Sequence, residues 1–125
     1  MTAPAPPVDP SIFEALYQLE DPEEPGFVQG MIDMFLDRTQ ESLAQMTSGL
    51  RSRELAEVHR LAHSLKSTSG MMGAMAMSAL CARVEAAAAE ERLGDLEGGL
   101  GDLAREFLEV RTWLEARQAP AAHDA

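Results

Sequence analysis

One cysteine, one tryptophan, one tyrosine and four phenylalanines are all that this chain of 125 residues holds of those types, and each shortage excludes something. A single thiol, Cys81, rules out an intrachain disulfide. Within the apolar run MSALCARV it has no His or Lys within a helical turn to activate it, so it reads as a small buried hydrophobe. With aromatics at 5%, the core must come from Leu, Met, Val and Ala, the composition of a helix-rich protein. Basic side chains are scarce too: 10 against 21 acidic, a formal charge of −11. Such a surface repels nucleic acid and anionic lipid. No apolar run approaches the roughly 18 residues that span a bilayer, and MTAPAPPVDP lacks the basic residue and apolar core of a signal peptide. A cytoplasmic protein with neither nucleic acid nor membrane as partner is expected. A Gly-rich nucleotide loop and an acidic triad for Mg²⁺ are also missing, so the chain would not use ATP by itself.

What is present is helical periodicity. It runs from Ser11 to about Arg117 without an alternating strand pattern or an internal repeat. The organisation expected is a disordered Pro-rich N-terminus (residues 1–10), one helical domain (11–117) and a disordered tail (118–125) that includes His123. A short helix fits PSIFEALYQL, capped by Asp9 or Ser11. A second starts near Pro25 with Val28, Met31, Phe35, Leu43, Met46 and Leu50 inward, before SGLRSR interrupts it. A third, from about Arg53 to Met72, buries Leu55, Val58, Ala62, Leu65, Ser69 and Met72, and a fourth after Gly73 buries Met77, Leu80, Val84 and Ala88. ERLGDLEGG reads as a break before a last helix with Leu96, Leu100, Leu103, Phe107, Val110 and Leu114 inward and Trp113 on its flank. The eight methionines read as core or core-edge residues. Four long amphipathic helices on short connections predict an all-α, up-down-up-down antiparallel four-helix bundle, with the short N-terminal helix packed on one end.

Chemistry concentrates in HRLAHSLKSTSGMMGA, residues 59–74. At about 100° per residue, His63 lies roughly 130° from the centre of its helix's apolar stripe and is therefore exposed. Its arc holds Ala56, His59, Arg60, Ser67, Gly70 and Ala74, with Lys66 and Gly73 to one side. An imidazole beside a bare helical surface lets another macromolecule approach and leaves space for a group on the ring. Gly70 costs on the order of 0.8–1 kcal/mol against Ala within a helix, consistent with a need for that space. Lys66, one turn on, is a mobile cation within reach of an anion carried by His63. The pattern points to a phosphorylatable histidine. His59 and His63 also satisfy the i, i+4 spacing of a helical metal pair, but no Glu follows the first histidine, and Arg60 and Lys66 would oppose a cation. No metal site is expected.

AHSLKSTSGMMGA resembles the signature of histidine-containing phosphotransfer (HPt) domains, His-x-Leu-Lys-Gly-x-Ser-x-x-x-Gly, through His63, Leu65, Lys66, Ser69 and Gly73. GFVQGMIDMFLDRTQESLAQM before it and GAMAMSALCARVEAA after it are similar to the family's pattern over almost the whole chain. The resemblance implies that His63 accepts a phosphoryl group from the aspartyl phosphate of a response-regulator receiver domain, or from a histidine kinase, and passes it to another receiver. It implies a phosphocarrier rather than an enzyme, a monomer with no cofactor of its own, and Mg²⁺ on the partner receiver. It also marks Ser67, Gly70, Ser69, His59, Arg60 and Gly73 as candidate binding residues around His63 and Lys66. The family usually has Gly where this chain has Ser67; that side chain lies one turn beyond His63 on the same face, so it must be small, and its hydroxyl can hydrogen-bond the phosphoryl group.

One more residue follows from counting. If the third and fourth helices fold back about Ala74, residues equidistant from it face each other, and His63 and Glu85 each lie 11 positions away. Glu85 would hold the Nδ1 proton of His63 and leave Nε2 as nucleophile; alternatively it is a solvated helix-face carboxylate. The other functional class to weigh is a helical adaptor that binds a receiver or kinase without being phosphorylated.

Overall fold

The computed structural model describes residues 5–118. Five helices follow in order: α1 (Pro10–Gln18), α2 (Phe27–Ser52), α3 (Leu55–Met71), α4 (Met75–Ala89) and α5 (Leu93–Arg117), with no strand among the described residues. The links between α2 and α5 are two or three residues long, too short for anything but antiparallel neighbours. Each packs on the next, and α5 closes the ring on α2. Cross-helix bonds confirm the direction: Arg111 donates to Gln40 at 3.2 Å and Gln118 to Asp33 at 3.0 Å, one chain rising as the other falls.

Of the two candidate caps for α1, Asp9 fills the role. Its Oδ1 accepts from the Ser11 backbone N–H at 2.9 Å and from the Ser11 hydroxyl at 2.7 Å, with Pro10 opening the helix. Those two bonds hold the Asp9 carboxyl below its ordinary range. The expectation of disorder through residue 10 fails for Val8 to Pro10. Val8 is completely buried, and the Asp9 N–H donates to the Gly73 carbonyl at 2.9 Å, because the chain must seat α1 across the end of the bundle. There Phe13 meets Trp113 edge to face, ring centroids 5.1 Å apart. At the other end the helix stops at Arg117 as expected, but Gln118 is tied to Asp33. Residues 1–4 and 119–125, His123 among the latter, lie outside the described residues.

The two expected breaks are shorter than the sequence suggests, and glycines explain both. Residues 48–52 of SGLRSR continue α2, since Gly49 is a contact point: a Cβ there would lie 2.7 Å from Val58 Cγ2. Likewise α5 begins at Leu93 and runs through Gly94, Gly98, Gly99 and Gly101, with Gly99 seated against Val84. The true ends of α2 and α4 fall at residues that carry no glycine signal. Arg53 (φ 62°) and Glu91 (φ 54°) adopt the left-handed conformation, closing each helix with paired bonds back to Gly49 and Leu50, and to Ala87 and Ala88. Only the end of α3 uses glycine, at Gly73 (φ 83°). The start of α2 is capped from a distance: Glu20 Oε1 accepts from the N–H groups of Gly26 and Val28 at 3.1 and 2.9 Å.

The core joins Val28, Ile32, Met46, Val58, Met77, Val84, Leu96, Leu103, Phe107, Val110 and Leu114, all essentially inaccessible. Along α2 the buried stripe is centred about one residue from the expected one. Ile32, Leu36 and Thr39 are inside, whereas Met31, Leu43 and Leu50 flank it, because α2 serves two neighbours at once. Leu55 and Leu80 also sit at the edge, and Leu61 is buried. Three of the methionines are neither core nor core-edge residues. Met34, Met71 and Met75 are 56%, 64% and 55% exposed.

Candidate functional site

Helix α3 has two unlike faces. Val58, Leu61, Ala62, Leu65 and Ser69 are buried in the bundle, which turns His59, His63, Lys66 and Ser67 outward. The His63 side chain is 61% exposed, that of His59 43% and that of Lys66 35%. From α4, Glu85 reaches across to all three and is itself mostly covered, its side chain 16% exposed. The α3–α4 hairpin thus puts in contact the two residues equidistant from its turn.

The bonds are specific. Glu85 Oε2 lies 2.7 Å from His63 Nδ1, and Lys66 Nζ donates to Glu85 Oε1 at 2.7 Å. His59 Nε2 is 3.6 Å from the same Oε2. The Lys66 ammonium, opposed by desolvation and helped by His63, holds the Glu85 carboxyl below the usual carboxylate range. An ionised carboxylate only accepts, so Nδ1 of His63 must carry the proton. In the neutral imidazole this leaves the lone pair on Nε2, the nitrogen remote from Glu85.

The remaining candidates divide. Ser67 is exposed one turn past His63, and Gly70 is half-buried; a Cβ at Gly70 would meet only Ser78 Oγ at an ordinary 3.7 Å, so helix packing does not demand glycine there. Arg60 is on the surface and pairs with Glu57 one turn back on its own helix. Ser69 and Gly73 are corrections to the list of binding residues: both are buried, so a partner would not touch them. Gly73 instead makes the α3–α4 turn, where its positive φ and the closeness of Ile12 and Asp9 exclude a side chain. Cys81 is completely buried, and desolvation pushes its thiol up to about 12, so it stays protonated and inert at neutral pH. As for a metal pair, the carboxylate nearest both histidines is occupied by Lys66, and no group of three His, Cys, Asp or Glu suited to a metal ion occurs among the described residues.

Sequence reasoning missed a groove of about 430 Å³ between α2 and α3, lined by Met31, Met34, Phe35, Leu61, Met71 and Met72 among others, with Ser64, the neighbour of His63, on its rim. The one available signal was Met34, which falls outside the apolar stripe of α2.

With this geometry established, comparison with known proteins is informative. Residues 30–119 match the model of the Hpt domain. Over 78 residues the chain is 24% identical to multistep phosphorelay regulator 1 of Schizosaccharomyces pombe, a match that covers 62% of this chain but only 26% of that protein. The fold is similar to the crystal structure of histidine-containing phosphotransfer protein B from Pseudomonas aeruginosa (TM-score 0.82, 24% identity, 90% of this chain and 95% of that one). It is also similar to a histidine-containing phosphotransfer protein from maize (TM-score 0.80, 23% identity, 88% of this chain and 81% of that one).

Proposed function

Because the chain belongs to the Hpt domain family, whose work is histidine phosphotransfer in phosphorelays, we propose that His63 is the residue that carries the phosphoryl group. The observation that supports this most is the pairing of an exposed imidazole with a covered carboxylate at Nδ1, which prepares Nε2 for attack. The lone pair of Nε2 attacks the phosphorus of an aspartyl phosphate on a receiver, the bond from phosphorus to the acyl oxygen breaks, and the aspartate leaves as carboxylate. The ring becomes cationic while keeping its Nδ1 proton, and Glu85 offsets that charge. Lys66, now on Glu85 Oε1, lies one turn along and can turn to the new phosphoryl oxygens. Transfer onward to a second receiver is the reverse sequence.

In this reading the chain is a phosphocarrier without an ATP site. It acts as a monomer in the cytoplasm, between two-component partners that supply the aspartate and its Mg²⁺. No helix among the described residues is long and apolar enough to cross a membrane. The receiver covers His63, Ser67 and Gly70 and rests on exposed apolar residues of α2 such as Phe27, 62% exposed, and Met34. The test is transfer from a panel of radiolabelled phospho-receivers to the parent and to His63→Gln. Acid-labile, base-stable label on the parent alone is expected; binding without label on either would make the protein an adaptor.

A further inference from the structure

Glu85 has more partners than the transfer chemistry so far uses. A carboxylate at the end of a glutamate turns easily about its last bond, because that torsion is broad. Here it is held at both oxygens, by Lys66 at Oε1 and by His63 at Oε2. His59, one turn before His63 on the same face of α3, brings Nε2 to 3.6 Å from the oxygen that His63 uses. Its ring borders a hollow whose walls near it are the small residues Ala56, Ala88 and Ala89, with Arg53 and Glu91 as the charged groups there. From 3.6 Å, a small rotation of the ring brings Nε2 to hydrogen-bond distance of that oxygen.

The geometry points to His59 as a positioning residue, which keeps the Glu85 carboxylate turned toward His63 Nδ1 while Lys66 attends to the phosphoryl group. This rests on the assignment of His63 as acceptor. While the histidine is unmodified, Lys66 restrains the carboxylate. Once a phosphoryl group sits on Nε2, its oxygens compete for the same ammonium, and a Lys66 that moves to them releases Oε1. Without a second donor on Oε2 the carboxylate then turns away or follows the lysine, and the Nδ1 proton loses its acceptor just when the ring is most cationic. An N–H from His59 supplies that donor, since one carboxylate oxygen accepts two hydrogen bonds. The expected effect is therefore on the transfer step and not on docking.

The test compares the parent with His59→Ala and His59→Gln, the amide of the latter keeping an N–H at similar reach. Single-turnover transfer to a receiver, followed against receiver concentration, separates the maximal rate from the half-saturating concentration. For His59→Ala a loss of roughly two- to fivefold in maximal rate is expected, about one hydrogen bond's worth, with half-saturation unchanged, and His59→Gln recovers most of the rate. Nitrogen NMR of the unphosphorylated protein at pH 8 reads the His63 tautomer directly; in a Lys66→Ala background, where Oε1 has already lost its donor, adding His59→Ala lowers the Nδ1-protonated fraction and adding His59→Gln restores it. A parent-like rate in His59→Ala overturns the proposal, as does a tautomer unmoved when His59→Ala is added to Lys66→Ala, or a change confined to half-saturation, which would make His59 a docking residue. Because the tautomer is read without any phosphoryl group, failure of the acceptor assignment, seen as absence of label on His63, is a separate result.

Discussion

Two side chains only two positions apart on α4 each build an ionic link to a neighbouring helix, and the two links are unlike. Arg83 turns to α5, where it donates to Asp102 at 2.7 Å in a cluster shared with Arg105. Glu85 turns to α3 and holds Lys66 and His63. Both carboxylates, Asp102 and Glu85, are held below their ordinary range, each chiefly by its cationic hydrogen-bond donor. Yet Arg83 and Asp102 are 50% and 36% exposed, whereas Glu85 is 16% exposed. Water weakens the first link to little more than a staple. The second is sheltered enough to impose a tautomer on an imidazole whose far side stays open to a partner. A charge cluster becomes a reactive site when one member is held by a covered group and still has a free lone pair.

Removing the carboxylate tests this contrast most severely. Glu85→Ala is expected to slow transfer to His63 by about tenfold to a hundredfold, the loss of a hydrogen bond to a charged group worth about 1.5–3 kcal/mol, in rapid-quench assays with a phospho-receiver. Gly70→Phe is expected to slow transfer by about tenfold through a blocked face, with an unchanged melting curve because no tight packing surrounds that position; transfer at the parent rate would show that the face need not be bare. Acid sharpens the comparison further. The Glu85 carboxyl is lowered on folding from an ordinary 4.5, so its stabilisation is complete above that value and is lost as pH falls through the lower folded value. The Tm advantage of the parent over Glu85→Gln should therefore hold above about pH 4.5 and shrink as the pH falls below it. Arg83→Ala, at the exposed link, should move Tm by no more than about 2 °C and leave transfer unchanged; an effect on transfer would dissolve the distinction between the two clusters.

Glycines show where sequence and structure part company. A glycine in a helical pattern reads as a break, but Gly49 and Gly99 are places where helices touch, at Val58 and Val84, and the helices run straight through them. Nothing local distinguishes the two functions, since the contacting residue lies in another helix. The ends of α2 and α4 are equally silent, because Arg53 and Glu91 take the left-handed conformation that glycine would advertise. Helix number, order and the α3–α4 hairpin were legible because periodicity is a local property. The bond between His63 and Glu85 was legible because two helices joined by a tight turn pair residues by simple counting. By contrast, the seating of Val8 and the groove between α2 and α3 depend on three or more elements meeting. Ser69 and Gly73 belong to the motif for what they do inside the fold, and a motif does not say on which side of the surface its residues act.

The measurement that tests the account most directly is the position of phosphorus on the ring. Phosphorus and nitrogen NMR of the phosphorylated, nitrogen-labelled protein should show the phosphoryl group bonded to Nε2 of His63, with the proton still on Nδ1. A phosphoryl group on Nδ1, or on a residue other than His63, would contradict the claim that Glu85 selects the nucleophile.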